Sequence, residues 1–206
     1  MEVPSAVTPL VDRAELGANL TGFYDFRAKS VIYVGAGRGQ LLGPASGAAM
    51  VTAIDRDPDS LQGFRAEAAT KWAGIPIRFI PHNFATVDVR GDVVYFEFCM
   101  HYMEDPEATL RHARTLASDI VVMDHLPTSK WVYYWAGEGA VSRSAGAIES
   151  FGVRRKSVHT AEQRFEDWNA LATRLSEEGE ESKRRVLELK GTRDIRMRMD
   201  YCLYLL

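Results

Sequence analysis

The run Ser30-Val31-Ile32-Tyr33-Val34-Gly35-Ala36-Gly37-Arg38-Gly39-Gln40-Leu41 constrains the fold more than any other stretch of the chain. Its apolar and aromatic residues read as a short buried strand, its three alternating glycines as a tight turn, and the residues beyond as compatible with a helix. Glycine is needed where the backbone takes φ > 0, or where a ligand comes too close for a Cβ. A glycine turn between a strand end and a helix start also aims N–H groups outward, toward polar ligand atoms. A single Gly-x-Gly is ordinary at such a junction. Three alternating glycines point to a nucleotide-type ligand.

Met50-Val51-Thr52-Ala53-Ile54 reads as a second strand ending in Asp55, twenty residues past Gly35. An acid at that offset sits beside the glycine turn of a βαβ unit, where it accepts hydrogen bonds from ribose hydroxyls. Asp57 and Pro58 supply the cap and first-turn proline for a helix carrying Leu61, Phe64, Ala68 and Trp72. Asp55 is thereby left for a ligand.

The spacing is Gly-x-Gly-x-Gly, whereas the dinucleotide fingerprint is Gly-x-Gly-x-x-Gly, and Arg38 is the only basic residue in the loop. With Asp55, this motif resembles that of the class I S-adenosylmethionine-dependent methyltransferases. The resemblance continues in Phe79-Ile80-Pro81-His82-Asn83-Phe84 at the end of a third strand, in Asp92 through His101 as the fourth strand and its exit, and in Met103-Glu104-Asp105-Pro106-Glu107. It spans roughly residues 30 to 125. It implies S-adenosylmethionine as cofactor, held by Gly35, Ala36, Gly37, Gly39, Asp55, Asn83, Phe84 and Glu97, with Arg56 along the adenine edge. In two places the chain departs from the family. Many members carry an acid two residues before the first glycine, where this chain has Tyr33. Asn83 replaces the commoner Asp, while keeping an acceptor for the adenine amino group.

The chain has 206 residues, 46% of them hydrophobic and 26% charged, which fits one soluble domain over residues 1–206. A formal net charge of −3 argues against a nucleic-acid backbone as the main partner, and the fourth-strand exit lacks the Asn/Asp-Pro-Pro-aromatic motif of nucleic-acid amino methylases. Cys99 and Cys202 read as buried thiols, without a disulfide or metal framework. The sequence has no apolar run of membrane-spanning length and no secretory pattern, so a cytoplasmic location is expected.

Residues 6 to about 28 read as an entry helix with Leu10, Val11, Leu16 and Leu20, followed by the aromatic patch Phe23-Tyr24-Phe26. Strands alternating with helices from 30 to 125, the fifth strand being 119–124, predict a doubly wound, mostly parallel α/β sheet of seven strands. The pattern fades between 126 and 165. That segment, with Trp131, Tyr134 and Trp135, is expected to cover the substrate, its aromatic faces forming a wall or the packed underside of a lid. Arg143, Arg154, Arg155 and Lys156 there read as a solvated face or as a lure for an acidic substrate. Helical spacing returns at Phe165, Trp168, Leu171, Ala172 and Leu175, ended by Gly179. Residues 184–189 read as a strand and 191–192 as a turn, leading into the alternating run from Ile195 to Leu205. Such a terminal antiparallel hairpin is a feature of the methyltransferase sheet, and a dinucleotide domain would need further parallel crossovers.

In the resembled architecture the exit of the fourth strand faces the methyl group, which here means Glu97 to Tyr102. Methyl transfer from a sulfonium depends mainly on alignment, plus a base where the acceptor arrives protonated. His101, and His125 at the fifth strand's end, are the candidate bases; either alternatively serves packing alone. Glu97 with Asp124 lacks the third ligand of the metal-dependent, catechol-type branch, so no metal is expected. The expected function is methyl transfer to a small molecule, a homo-oligomer being compatible with it. The alternatives are an NAD(P)-dependent oxidoreductase, for which a Tyr-x-x-x-Lys pair is missing, and a non-catalytic cofactor-binding protein.

Overall fold

A computed structural model describes residues 10–11, 13–40 and 42–206. The first described elements are a two-residue strand β1 (Leu10–Val11) and helix α1 (Arg13–Phe23). Next come β2 (Ser30–Val34), β3 (Met50–Ile54), α2 (Pro58–Lys71), β4 (Ile77–Ile80), β5 (Val93–Glu97), α3 (Pro106–Leu116) and β6 (Asp119–His125). The remainder is α4 (Lys130–Trp135), α5 (Glu138–Gly152), β7 (Arg155–Asp167), α6 (Trp168–Arg174), α7 (Glu180–Val186) and β8 (Arg193–Leu205).

The strands form one sheet in the order β1-β7-β8-β6-β5-β2-β3-β4. Strands β2 to β6 pair in parallel, and β8 lies antiparallel between β6 and β7. This is the expected seven-stranded, doubly wound sheet with a reversed last strand, extended at one edge by β1. Near-continuous apolar runs suit strands covered on both faces. Val31, Tyr33, Val93, Tyr95, Val121 and Met123 enter a core shared with α1, α2 and α6. The alternate residues Ile32, Val34, Val94, Phe96, Ile120 and Val122 enter a second core under α3 and α5. Each fully buried Leu, Val or Phe contributes about 1.5–3 kcal/mol of transfer free energy.

Four expectations are corrected. The glycine turn leads into a single 3₁₀ turn, Gly43–Ala45, rather than an α-helix. Pro44 lacks an N–H and disfavours helical geometry at Gly43, and little chain is left before β3. Residues 184–189 are helical: α7 ends in a 3₁₀ turn, Leu187–Leu189. Ion pairs of Glu181 with Arg184 and Arg185, three and four residues on, favour the helix. The partner of β8 is β7, registered from Arg155↔Leu205 to Asp167↔Arg193, and α6 and α7 replace the expected tight turn. Much of β7 is exposed, which blurs its alternation in the sequence and hid it within the 126–165 segment. Finally, Leu10 and Val11 lie in β1 rather than in the entry helix, and residues 6–9 of that expected helix fall outside the described residues.

Within the 126–165 segment, the residues from 155 on join the sheet as β7. Helix α5, carrying buried Ala147 and Ile148, packs on the α3 side of the sheet, while α4 and Gln163 of β7 reach the cleft described below. The basic residues also move away from the site. Arg154 pairs with Asp119, Lys156 pairs with Glu149, and Arg155 stacks on Phe23. Arg155 and Lys156 register with Leu205 and Tyr204, whereas His125 at the cleft registers with Tyr201.

Candidate active site

The glycine turn follows directly from β2, and all three glycines take left-handed backbone geometry: φ is 65° at Gly35, 49° at Gly37 and 71° at Gly39. Two of them are also required by packing. A Cβ on Gly35 would lie 2.5 Å from Cys99 Cβ, and one on Gly39 would lie 2.2 Å from the Phe64 ring. Beside Gly37 the space is open, since a Cβ there would meet only the Gly35 carbonyl at 3.9 Å. The turn's N–H groups are not aimed outward as expected. Ala36 donates to Ile54 O at 3.2 Å, Gly37 to Asp55 Oδ2 at 2.8 Å, and Gly39 to Ala36 O at 2.7 Å. Asp55 thus braces the turn: its other oxygen accepts the Asp57 N–H at 3.0 Å, and each oxygen keeps a lone pair for a ligand. As expected, Asp57 and Pro58 cap α2, the Asp57 carboxylate accepting the Asp59 N–H.

Asn83 lies past the carboxyl end of β4, the strand next to β3, and so on the same edge of the sheet as Asp55. Its side-chain oxygen already accepts the Ala85 N–H at 3.0 Å, a local cap that leaves one lone pair for an adenine amino group. Phe84 is 4% exposed, packed edge-on to Phe96 and His112 in the second core. The ring is enclosed in that core rather than laid open at the sheet edge, where it was expected to lie beside an adenine. Arg56 is exposed on the same edge.

A cleft of about 360 Å³ opens at the carboxyl ends of β5 and β6. It brings together Glu97, His101, His125, Trp131 and Trp135 of the expected residues, while Tyr134 is not among its walls. Tyr134 is buried beside Tyr133, and its carbonyl accepts the Ser182 hydroxyl. The short helix α4 turns Trp131 and Trp135 inward, and Trp131 stacks on Phe165 at 5.9 Å.

Asp124, 1% exposed, organises the cleft floor. Its Oδ1 lies 2.6 Å from His101 Nδ1, its Oδ2 accepts the His101 backbone N–H at 3.1 Å, and Oδ1 also accepts the His125 N–H at 2.9 Å. A carboxylate only accepts, so Nδ1 of His101 carries the proton toward Asp124, and in the neutral ring the lone pair falls on Nε2. His125 differs. Burial pushes its pKa down to about 3, with His101 adding to the effect and Asp124 opposing it, so it stays neutral and weakly basic. Its Nδ1 has no partner among the described residues. Cys99 is buried beside the turn, and burial raises its thiol well above the ordinary range, so no thiolate forms there. Among the described residues, no three His, Cys, Asp or Glu side chains converge to hold a metal.

Phe98 has φ 43°, a strained conformation for a bulky residue that costs about 1–3 kcal/mol. The strain turns its ring against His125, 4.6 Å between centroids, where it lines the cleft. Sequence reasoning missed Phe98 as a wall, and with it Arg13, Gln40, Tyr102, Gln163, Arg174 and Glu178. Gln40 and Tyr102 adjoin residues that the motifs did mark. Arg13, Gln163, Arg174 and Glu178 come from α1, β7, the end of α6 and the segment after it, where no local pattern signals a site.

The family described as "Methyltransferase domain" matches residues 32–119. A comparison with curated proteins gives no match. Among solved structures, the YcgJ protein of Bacillus subtilis has a TM-score of 0.67 at 11% identity, covering 93% of this chain and 97% of its own. A SAM-dependent methyltransferase from Aquifex aeolicus has a TM-score of 0.56 at 15% identity, covering 95% and 89%. Magnesium protoporphyrin IX methyltransferase from Synechocystis with bound SAM has a TM-score of 0.53 at 14% identity, covering 93% and 77%. These likenesses carry the fold, whose reversed strand β8 between β6 and β7 is unlike a run of parallel dinucleotide-domain crossovers. The matched domain over residues 32–119 and these folds together support S-adenosylmethionine-dependent methyl transfer, with S-adenosylmethionine as the cofactor.

Proposed function

We propose that the protein transfers the methyl group to a small molecule held under α4, with His101 as the general base. The observation that carries this reading is the Asp124–His101 pair, both side chains 2% exposed and 2.6 Å apart, with His101 lining an aromatic-walled cleft at the strand ends. Bound S-adenosylmethionine would supply an electrophilic methyl on a sulfonium. The residues present suit its adenosine half: Asp55 for the ribose hydroxyls, the open side of Gly37 for close approach, and the second lone pair of Asn83 for the adenine amino group, with Arg56 nearby.

The protein's own work is then alignment and proton removal. Trp131, Trp135 and Phe98 exclude water and present apolar faces to the acceptor. Asp124 fixes the tautomer of the neutral His101 ring with its proton on Nδ1, and Nε2 is the nitrogen that takes the acceptor's proton as the new bond forms. His125, held neutral, contributes packing and a low local dielectric rather than basicity. The net charge of −3 speaks against a nucleic-acid acceptor.

Calorimetry with S-adenosylhomocysteine, followed by screening small hydroxyl and amine compounds for its release from S-adenosylmethionine, tests the reading. Cofactor binding with turnover that needs His101 supports it. Absence of binding at millimolar ligand, or methylation of RNA but of no small molecule, overturns it.

A further inference from the structure

Gln163, on β7, carries a polar group with no part in the proton transfer to His101. The residue is 6% exposed and lines the cleft, and its side-chain nitrogen donates to the Met199 sulfur at 3.2 Å. A thioether sulfur only accepts, which fixes the orientation of the amide and leaves the carbonyl oxygen, Oε1, buried with no partner among the described residues. A buried acceptor left unpaired destabilises a fold, and an apolar side chain of the same size would fill the position without that cost. Glutamine here has the character of a binding group rather than of a packing one.

Its place in the sheet says what it can reach. Strand β8 lies between β6 and β7, with Tyr201 beside His125 and Met197 beside Gln163. Those two rows are four residues apart, about 13 Å of extended strand, and project from the same face. The cleft on that face therefore has two ends. One holds His101, its ring centroid 5.5 Å from that of His125. The other holds Gln163, with Phe165 two residues on stacked against Trp131. A bicyclic ring system matches that span once the side chains reaching in from both ends are allowed for, and the flat faces of Trp131, Trp135 and Phe98 suit one. The group that meets Oε1 has to donate a hydrogen bond. A buried ammonium is poorly compensated by a single neutral oxygen, whereas a hydroxyl or a ring N–H is matched by it. The terminal amide torsion is broad, so a small turn presents the oxygen to the cleft while the nitrogen stays near sulfur.

Resting on the reading of a small-molecule acceptor, we infer that Gln163 is a specificity-determining residue. The acceptor is a planar bicyclic compound that carries, at the end away from the methylated group, a second hydroxyl or N–H donating to Gln163 Oε1.

Calorimetry on the protein saturated with S-adenosylhomocysteine tests this, with 2,6- and 2,7-dihydroxynaphthalene as probes and 2-naphthol as the match that lacks the second hydroxyl. At least one diol should bind about tenfold more tightly than 2-naphthol. Gln163→Met keeps the volume and removes the acceptor. It should bring that diol within about twofold of 2-naphthol, leave S-adenosylhomocysteine within about twofold, and hold or raise the urea-unfolding midpoint because an unpaired oxygen is gone. His101→Gln should keep the diol preference, so the far contact is read separately from the base. A preference that survives in Gln163→Met, or its absence from the wild-type protein, overturns the inference and leaves the proposed methyl transfer standing. Failure of the wild-type protein to bind S-adenosylhomocysteine overturns the proposed function, and this inference with it.

Discussion

Acidification from pH 7.5 to 5.0 should destabilise this protein through His125, and the size of the effect follows from its burial. The imidazole is 8% exposed, and burial holds its pKa at about 3 in the folded chain. In the unfolded chain it titrates near the ordinary value of about 6.5. Between those two values the unfolded state binds more protons than the folded state, so stability is present in full above pH 6.5 and is lost as pH falls toward 3. At pH 5.0 the loss from this one group is about 2 kcal/mol, against almost none at pH 7.5. That is a large share of a typical total of about 5–15 kcal/mol. Urea unfolding at pH 7.5, 6.5, 5.5 and 5.0 reads it, with His125→Phe as the comparison because the ring contact with Phe98 survives while the titration disappears. Other carboxylates and histidines act in both proteins, so the difference between their pH slopes isolates His125. The wild-type protein should lose about 2 kcal/mol more than the variant by pH 5.0. Parallel slopes would show that His125 titrates normally in the fold, and would reinstate it as a candidate base.

The glycines of the turn should separate by what their Cβ would meet. Gly39→Ala, which drives a methyl into Phe64 at φ 71°, should cost about 2–5 kcal/mol in urea unfolding, and Gly37→Ala only the left-handed strain of about 1–2 kcal/mol. Equal costs would refute the packing argument. Asp55→Ala should weaken S-adenosylhomocysteine by about 1–3 kcal/mol in calorimetry, and unchanged affinity would rule out the ribose contact. His101→Gln should lower kcat by about 10²–10⁴ while S-adenosylhomocysteine binding stays within about twofold. A matching loss of binding would show that His101 shapes the cleft rather than moves a proton.

The central sheet was legible because its strands are buried on both faces and punctuated by unambiguous signals: Gly35, Asp57-Pro58, and Asp105-Pro106 opening α3. Those signals are local, and local chemistry produced them. Strand β7 has no such signature. Its order comes from twelve registered residues of β8, a non-local ladder that tolerates charged side chains on the exposed positions. Helix α7 was misread for a related reason, because Val186, Leu187 and Leu189 look strand-like until the preceding Glu181–Arg184–Arg185 ion pairs are counted as helical spacing. At the site, sequence order found what the strand ends carry, namely Asp55, Glu97, His101 and His125. It did not reveal what the side chains do to one another. Phe84 and Tyr134 share their composition with cleft-wall residues, yet packing turned them into the core. Asp124 read as half of an incomplete acidic pair with Glu97, and the geometry ties it to His101. Tyr33 read as a lost acid, whereas its hydroxyl lies on Glu97 across the strand pair. A departure from a motif in one strand is therefore interpretable only together with the diagonal position on its neighbour, because side chains at diagonal positions of paired strands lie within reach of each other.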